Sequence, residues 1–256
     1  MTEATSSGAT AASVTAVGAT TKVANQQMEA VLSLVTPDRI PTLRALIDEL
    51  LRVNQQFNLT AIRDADEAWI KHVVDSLQGL RSGLFEGRKT VIDVGSGPGF
   101  PSLVLAIARP ELKITALDST RKKCDYISAT AKLFSLNAKS LCDRAEVAGQ
   151  SVVWRERFDI ATARAVGGLV EVCELALPMV KPGGHLVLWR GVAAHEETKA
   201  ARGAIGKLGG CRDVKITPYN LPGHELQYHL VVIPKVEKTP VLYPRRTGQP
   251  KQKPLS

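Results

Sequence analysis

Residues 91–101 read Val91-Ile92-Asp93-Val94-Gly95-Ser96-Gly97-Pro98-Gly99-Phe100-Pro101, and the architecture follows from how they parse. Val91 to Val94 has the length and β-branched content of a buried strand. Glycines at 95, 97 and 99 then let the backbone turn tightly and let a ligand approach the main chain. Phe100-Pro101 opens a helix, where a proline's missing N–H costs nothing. Strand, glycine turn and helix together describe a ligand loop at the carboxyl edge of a sheet.

Downstream, comparable runs recur as KITALD (113–118), FDIATA (158–163), HLVLW (185–189) and HLVVI (229–233), separated by helical stretches. This alternation predicts an α/β fold with a doubly wound, mostly parallel sheet. Upstream, Leu43, Leu46, Ile47, Leu50 and Leu51 recur at helical spacing behind Pro41, predicting a small helical cap of about three helices over residues 28–85. Of the first 24 residues, 18 are Ala, Ser, Thr or Gly, with no arginine and no block of large apolar residues. Residues 1–27 are therefore expected to be a disordered extension rather than a secretory signal. The ligand-binding α/β unit would span 86–234, with a basic, extended tail over 235–256.

The chain of 256 residues is 44% hydrophobic and 23% charged, a globular composition that excludes wholesale disorder and collagen-like repeats. No run of about 18 apolar residues occurs, so no membrane span is expected. Cys124, Cys142, Cys173 and Cys211 form no C-x-x-C pair, and His195, His224 and His229 have no ligand spacing, so no metal site is expected. From Lys235 onward, six cations face Glu237 alone, which places +5 of the +8 net charge in the tail. Such a tail suits a polyanion, nucleic acid above all, although a solvated segment that only aids solubility fits as well. Its single aromatic residue, Tyr243, leaves little to stack on bases.

The G-x-G-x-G spacing differs from the G-x-G-x-x-G of a dinucleotide loop, since Phe100 stands where the last glycine would. Asp118 closes the next strand, 25 positions after Asp93, where a carboxylate can hold both hydroxyls of a ribose. A nucleoside without phosphates fits both facts. S-adenosylmethionine is such a ligand, and its ammonium and sulfonium charges favour a carboxylate such as Asp93. Taken alone, Asp118 also fits a helix cap for the TRKKCDYI segment.

The sequence resembles the RsmG (GidB) methyltransferases through FNLT (57–60), KHVVDSL (71–77), DVGSGPGFP (93–101), LDSTRKK (117–123), RAE (144–146), ARAV (163–166), LWRG (188–191), HLVVI (229–233) and YPRRTGQPKQKPL (243–255). The LDSTRKK form and the closing QKPL are most similar to cyanobacterial or plastid members. The resemblance implies a Rossmann-like class I S-adenosylmethionine-dependent fold. It also implies methyl transfer to N7 of a single guanine in 16S ribosomal RNA, acting on naked RNA or an assembling small subunit.

By the same resemblance, Gly95, Phe100, Asp118, Ser119, Thr120, Ala145, Glu146 and Arg164 contact the cofactor, alongside Asp93. Arg164 would position rather than act as acid or base, and His72 and Arg190 would touch substrate. A monomer in the cytoplasm is expected, with the plastid stroma as the alternative compartment. Ser102, Val147 and Ala163 depart from the family's usual residues. The rival functions are a class I methyltransferase for a protein or small molecule, and a ribosome-assembly binding protein without turnover.

Overall fold

The computed structural model describes residues 23–256. Its sheet comprises β1 (Thr90–Val94), β2 (Lys113–Asp118), β3 (Ala138–Cys142), β4 (Phe158–Arg164), β5 (Val180–Arg190), β6 (Lys215–Asn220) and β7 (Gln227–Pro234), in the order β3-β2-β1-β4-β5-β7-β6. The first five in that order pair in parallel, while β7 runs antiparallel to β5 and β6. This is the doubly wound, mostly parallel sheet that the alternating runs predict. β3 and β6 are edge strands that the sequence reading missed. Lys139 and Ser140 interrupt the apolar character of one, and the other carries Pro218, which an edge tolerates.

Chain order reverses direction between β1 and β4, so the carboxyl ends of β1, β2 and β4 meet at the crevice where open α/β sheets bind ligands. Val91 and Ile92 point to opposite faces, as the two-residue period of a strand requires, and enter different apolar clusters. One cluster joins the sheet to α5 (Ser102–Ala108), α6 (Arg121–Leu133) and the N-terminal helices. The other joins it to α7 (Ala145–Gln150), α8 (Leu169–Ala176) and α9 (Ala194–Lys207).

The cap starts with α1 (residues 23–32), so the last part of the expected flexible extension is helical, and residues 1–22 lie outside the described residues. In α2 (Ile40–Asn54), the buried Leu43, Leu46, Ile47 and Leu50 form the stripe that faces α5 and the rest of the cap. Each such side chain contributes about 1.5–3 kcal/mol. Asn54 closes α2 and stitches the following loop to it, its Oδ1 accepting from Leu59 N and Thr60 N and its Nδ2 donating to Thr60 O. Asp64 then caps α3 (Ala65–Ala68) by accepting from Glu67 N at 2.8 Å. A π-helical turn (Trp69–Val74), α4 (Asp75–Leu77) and a 3-10 turn (Gln78–Ser82) continue without a break.

The C-terminal segment differs from the extended tail expected of it. Lys235 is buried, and its ammonium donates to Leu177 O, Leu208 O and Thr239 Oγ1. Arg155 donates to the carbonyls of Thr239 and Tyr243, and Gln150 to those of Val241 and Pro244. Arg245 grips Glu174 of α8 with two guanidinium nitrogens at 2.8 and 2.6 Å. α10 (Gln249–Gln252) follows. Two of the six cations counted toward the solvent are thus consumed inside the fold.

Candidate active site

The glycine turn leaves β1 and is pinned to β2, since Gly95 N and Ser96 N both donate to Leu117 O at 2.8 and 3.0 Å. Gly95 (φ +70°) and Gly97 (φ +57°) hold left-handed conformations. A Cβ on Gly95 would lie 2.6 Å from Val166 of the loop after β4, whereas one on Gly97 would meet nothing within 4 Å. The turn is therefore packed at one glycine and open at the next, as a backbone surface for a ligand requires.

Asp118 stands opposite this opening. Its Oδ2 accepts from Gly97 N at 2.9 Å and its Oδ1 from Thr120 N at 2.8 Å. It therefore fixes the loop and the start of α6 together and keeps further lone pairs for a hydroxyl. Ser119 beside it is exposed. Asp93 sits differently from the ligand-facing place expected of it. Its carboxyl is fully buried beneath the loop, accepting from Thr162 Oγ1 at 2.8 Å and Ser102 N at 3.3 Å. Burial pushes it up to about 6, against the opposing effect of those hydrogen bonds.

Arg164, the last residue of β4, is the hub of the other half of the site. Its Nη1 donates to Asp75 Oδ2 at 2.8 Å and to Lys71 O at 2.5 Å, and its Nη2 to His72 Nδ1 at 3.3 Å. Because guanidinium only donates, Nδ1 is the acceptor, and the His72 proton lies on Nε2, facing Thr60 Oγ1 at 3.3 Å. Burial and the neighbouring Arg164 charge push His72 down to about 3, so it is neutral. The imidazole stacks on Phe100 with centroids 4.6 Å apart, and Arg164 lies 5.9 Å from the same ring. His72, Phe100 and Arg164 are thus brought together at the mouth of the glycine turn.

Asp75 is tied on every side. Tyr219 of β6 donates to its Oδ1 at 2.6 Å, and Trp189 of β5 donates to its carbonyl at 2.8 Å. Burial and the Asp75 carboxylate raise Tyr219 far above an ordinary phenol, leaving it a fixed donor. Sequence reasoning missed Tyr219, 144 positions from Asp75 on a strand that was not recognised.

The remaining expected residues divide. Ala145 and Glu146 begin α7, and Glu146 Oε1 accepts from Gly248 N of the C-terminal segment at 2.8 Å. Arg190 lies bidentate on Glu197 and donates to Val166 O and Gly167 O. That geometry braces the loop against Gly95 rather than offering Arg190 to a substrate. The residues present fit a nucleoside cofactor. Among the described residues, nothing lies within 4 Å of a Cβ on Gly97, Asp118 retains acceptor capacity, and Ser96 Oγ in the same turn is buried without a hydrogen-bond partner.

Comparison with known proteins is consistent with this geometry. The family model described as rRNA small subunit methyltransferase G matches residues 39–217. Ribosomal RNA small subunit methyltransferase G of Deinococcus radiodurans is 44% identical over 208 residues, covering 80% of this chain and 82% of that protein. The protein of the same name from Halalkalibacterium halodurans is 39% identical, covering 81% of this chain and 87% of its own. Among solved structures, an S-adenosylmethionine-dependent O-methyltransferase from Thermotoga maritima superposes with a TM-score of 0.50 at 14% identity, covering 76% of this chain and 72% of that one. That likeness speaks for the fold alone.

Proposed function

The chain belongs to the rRNA small subunit methyltransferase G family, and from that premise we propose that it transfers a methyl group from S-adenosylmethionine to N7 of one guanine in 16S ribosomal RNA. The observation that carries this reading is the pairing of an open glycine turn and Asp118 with a buffered cation, Arg164, at the same sheet edge. Gly95, Gly97 and Asp118 would hold the adenosyl group, with Thr120, Ala145 and Glu146 around it. When bound, the cofactor supplies an electrophilic methyl on a sulfonium.

N7 carries a lone pair and no proton, so the transfer needs no base. The polar groups at the site accord with this. His72 is a neutral acceptor toward Arg164, Asp75 is engaged by Arg164 and Tyr219, and Asp93 is sealed under the loop. The chain's contribution is alignment, an effect worth up to roughly 7–11 kcal/mol. The target base must leave its stack to reach a crevice at this edge, which favours a loop in the RNA.

The protein would work as a cytoplasmic monomer on RNA or the assembling subunit; among the described residues, no helix is long and apolar enough to cross a membrane. The test is transfer of a labelled methyl group from S-adenosylmethionine to small-subunit RNA, followed by nuclease digestion and mass spectrometry. One 7-methylguanosine per RNA is expected. Label in protein, or in another nucleoside, would sink the reading.

A further inference from the structure

Five N–H donors belong to an arginine, and three of those on Arg164 are committed. Nη1 uses both, on Lys71 O and Asp75 Oδ2, and Nη2 uses one on His72 Nδ1. Among the described residues, Nε–H and the second Nη2–H have no acceptor and leave the planar fork an open edge. We propose that this edge reads O6 of the target guanine, and that Asp75, Tyr219 and His72 are positioning residues that hold it for that purpose. The inference rests on the methyl transfer to guanine N7 proposed above.

Three strands fix the fork. Arg164 extends from β4, Tyr219 of β6 holds the second carboxylate oxygen of Asp75, and Trp189 of β5 holds its carbonyl. A carboxylate fixed by its carbonyl and both its oxygens cannot swing to the free edge of the guanidinium. His72 completes the arrangement because only a ring with a lone pair on Nδ1 can accept from Nη2, and its stack on Phe100 fixes the ring plane. The free edge therefore presents donors only.

Guanine offers O6 beside N7 on its Hoogsteen edge, whereas adenine offers an amino group at the same place. Two donors accept the first and oppose the second. Because N7 must stay free for the methyl group, the fork has O6 as its partner rather than the O6 and N7 pair.

The charge balance of the reaction gives Asp75 a second purpose. The N7 lone pair forms the new N–C bond, the S–C bond breaks with its electron pair left on sulfur, and no proton moves. Positive charge passes to the guanine. An unpaired arginine beside it would oppose that step, and Asp75 at 2.8 Å offsets the arginine's charge.

The experiment uses the full chain, S-adenosylmethionine, and small subunits reconstituted with guanine, inosine or 2-aminopurine at the mapped position. Inosine keeps O6 and N7 but loses the 2-amino group, while 2-aminopurine keeps N7 and the amino group but loses O6. Inosine should be methylated within about threefold of guanine, and 2-aminopurine at least about 100-fold more slowly, since an unpaired buried donor is what such a site rejects. Tyr219→Phe and Asp75→Asn should shrink the guanine to 2-aminopurine ratio by about tenfold or more while the cofactor dissociation constant stays unchanged; Arg164→Lys should nearly abolish it.

A purely structural role would lower the melting temperature and all three rates together, leaving the ratio intact, and that result overturns the inference. Equal rates on guanine and 2-aminopurine with the unmodified protein overturn it as well. No methyl on guanine-bearing RNA would instead overturn the function itself.

Discussion

The N-terminal cap and the C-terminal segment pack on opposite flanks of the sheet, and each supplies one member of an arginine–carboxylate pair of similar length. Arg164–Asp75 spans 2.8 Å and Arg245–Glu174 spans 2.6 Å. Their surroundings differ. Glu174 is wholly buried and its other partner is the backbone N–H of Arg245, so that pair closes on itself. Among the described residues, Arg164 keeps two donors uncommitted at the mouth of the glycine turn. Similar ion pairs therefore serve different ends, one fastening a segment and the other holding a cation in reserve, and the donor count rather than the distance tells them apart.

The sharpest way to break this contrast is to remove each arginine. Arg245→Ala leaves the Glu174 carboxylate buried without its charge partner, which costs about 3–5 kcal/mol. For a chain of this size that corresponds to a fall in melting temperature of about 10 °C, read by calorimetry. Methyl transfer measured well below the new melting point should persist. Arg164→Met should reverse the pattern, with the greater part of the activity lost and a smaller thermal shift, because the Asp75 side chain is 12% exposed where Glu174 is wholly buried, and Tyr219 still donates to it. Equal losses of activity in the two variants would erase the distinction.

Gly97→Val sharpens the other half of the site. A side chain there meets no neighbour within 4 Å, so the substitution acts through the backbone, which a β-branched residue will not hold at φ +57°. Moving the turn breaks the bond from Gly97 N to Asp118. Cofactor affinity should weaken by about 100-fold or more, close to 3 kcal/mol, as titration calorimetry would read it. The far-ultraviolet circular dichroism should stay native. Undiminished affinity would remove the turn from the binding site.

His72 carries a pH signature. Its native value of about 3 lies below its ordinary 6.5, so between those limits the unfolded chain binds the proton that the native chain refuses. The contribution is fully present above pH 6.5 and is lost as pH falls. Asp93, raised to about 6, works in the opposite direction within the same window, so the comparison must be between single variants. Denaturant titrations at pH 7.5 and pH 5 should show His72→Phe losing about 1–2 kcal/mol less than the unmodified chain. An identical loss would mean that His72 is solvated and does not face Arg164.

Much of this arrangement was legible in the sequence where local chemistry carries it. The glycine turn, Asp118 and the apolar runs announce themselves through spacing, and α2 through its stripe of leucines. Tyr219 was not legible, because its role exists only through pairing between distant strands and because Pro218 obscures the strand that bears it. Asp93 was misplaced for a related reason: its position before the glycines is visible, but the Thr162 hydroxyl that turns its carboxylate inward comes from β4. Charge in the C-terminal segment was counted correctly and located wrongly. A lysine buried among carbonyls, as Lys235 is, has the same sequence signature as one in water.

That last distinction supports the smallest effect to be measured. Lys251 and Lys253 are exposed, and their side chains lie outside the ion pairs and hydrogen bonds that fasten the segment. Replacing both with alanine should change stability by no more than about 0.5 kcal/mol. If they touch RNA phosphates, each lost contact flattens the slope of log affinity against log salt by roughly 0.7–0.9, without regard to RNA sequence. Arg245→Ala should leave that slope nearly unchanged while lowering the melting temperature, since its charge already faces Glu174. The two variants therefore separate solvent-facing from internal charge within eight residues of one another. A double lysine variant that melts early, or an Arg245 variant that flattens the salt slope, would show that the segment's charges are divided in some other way.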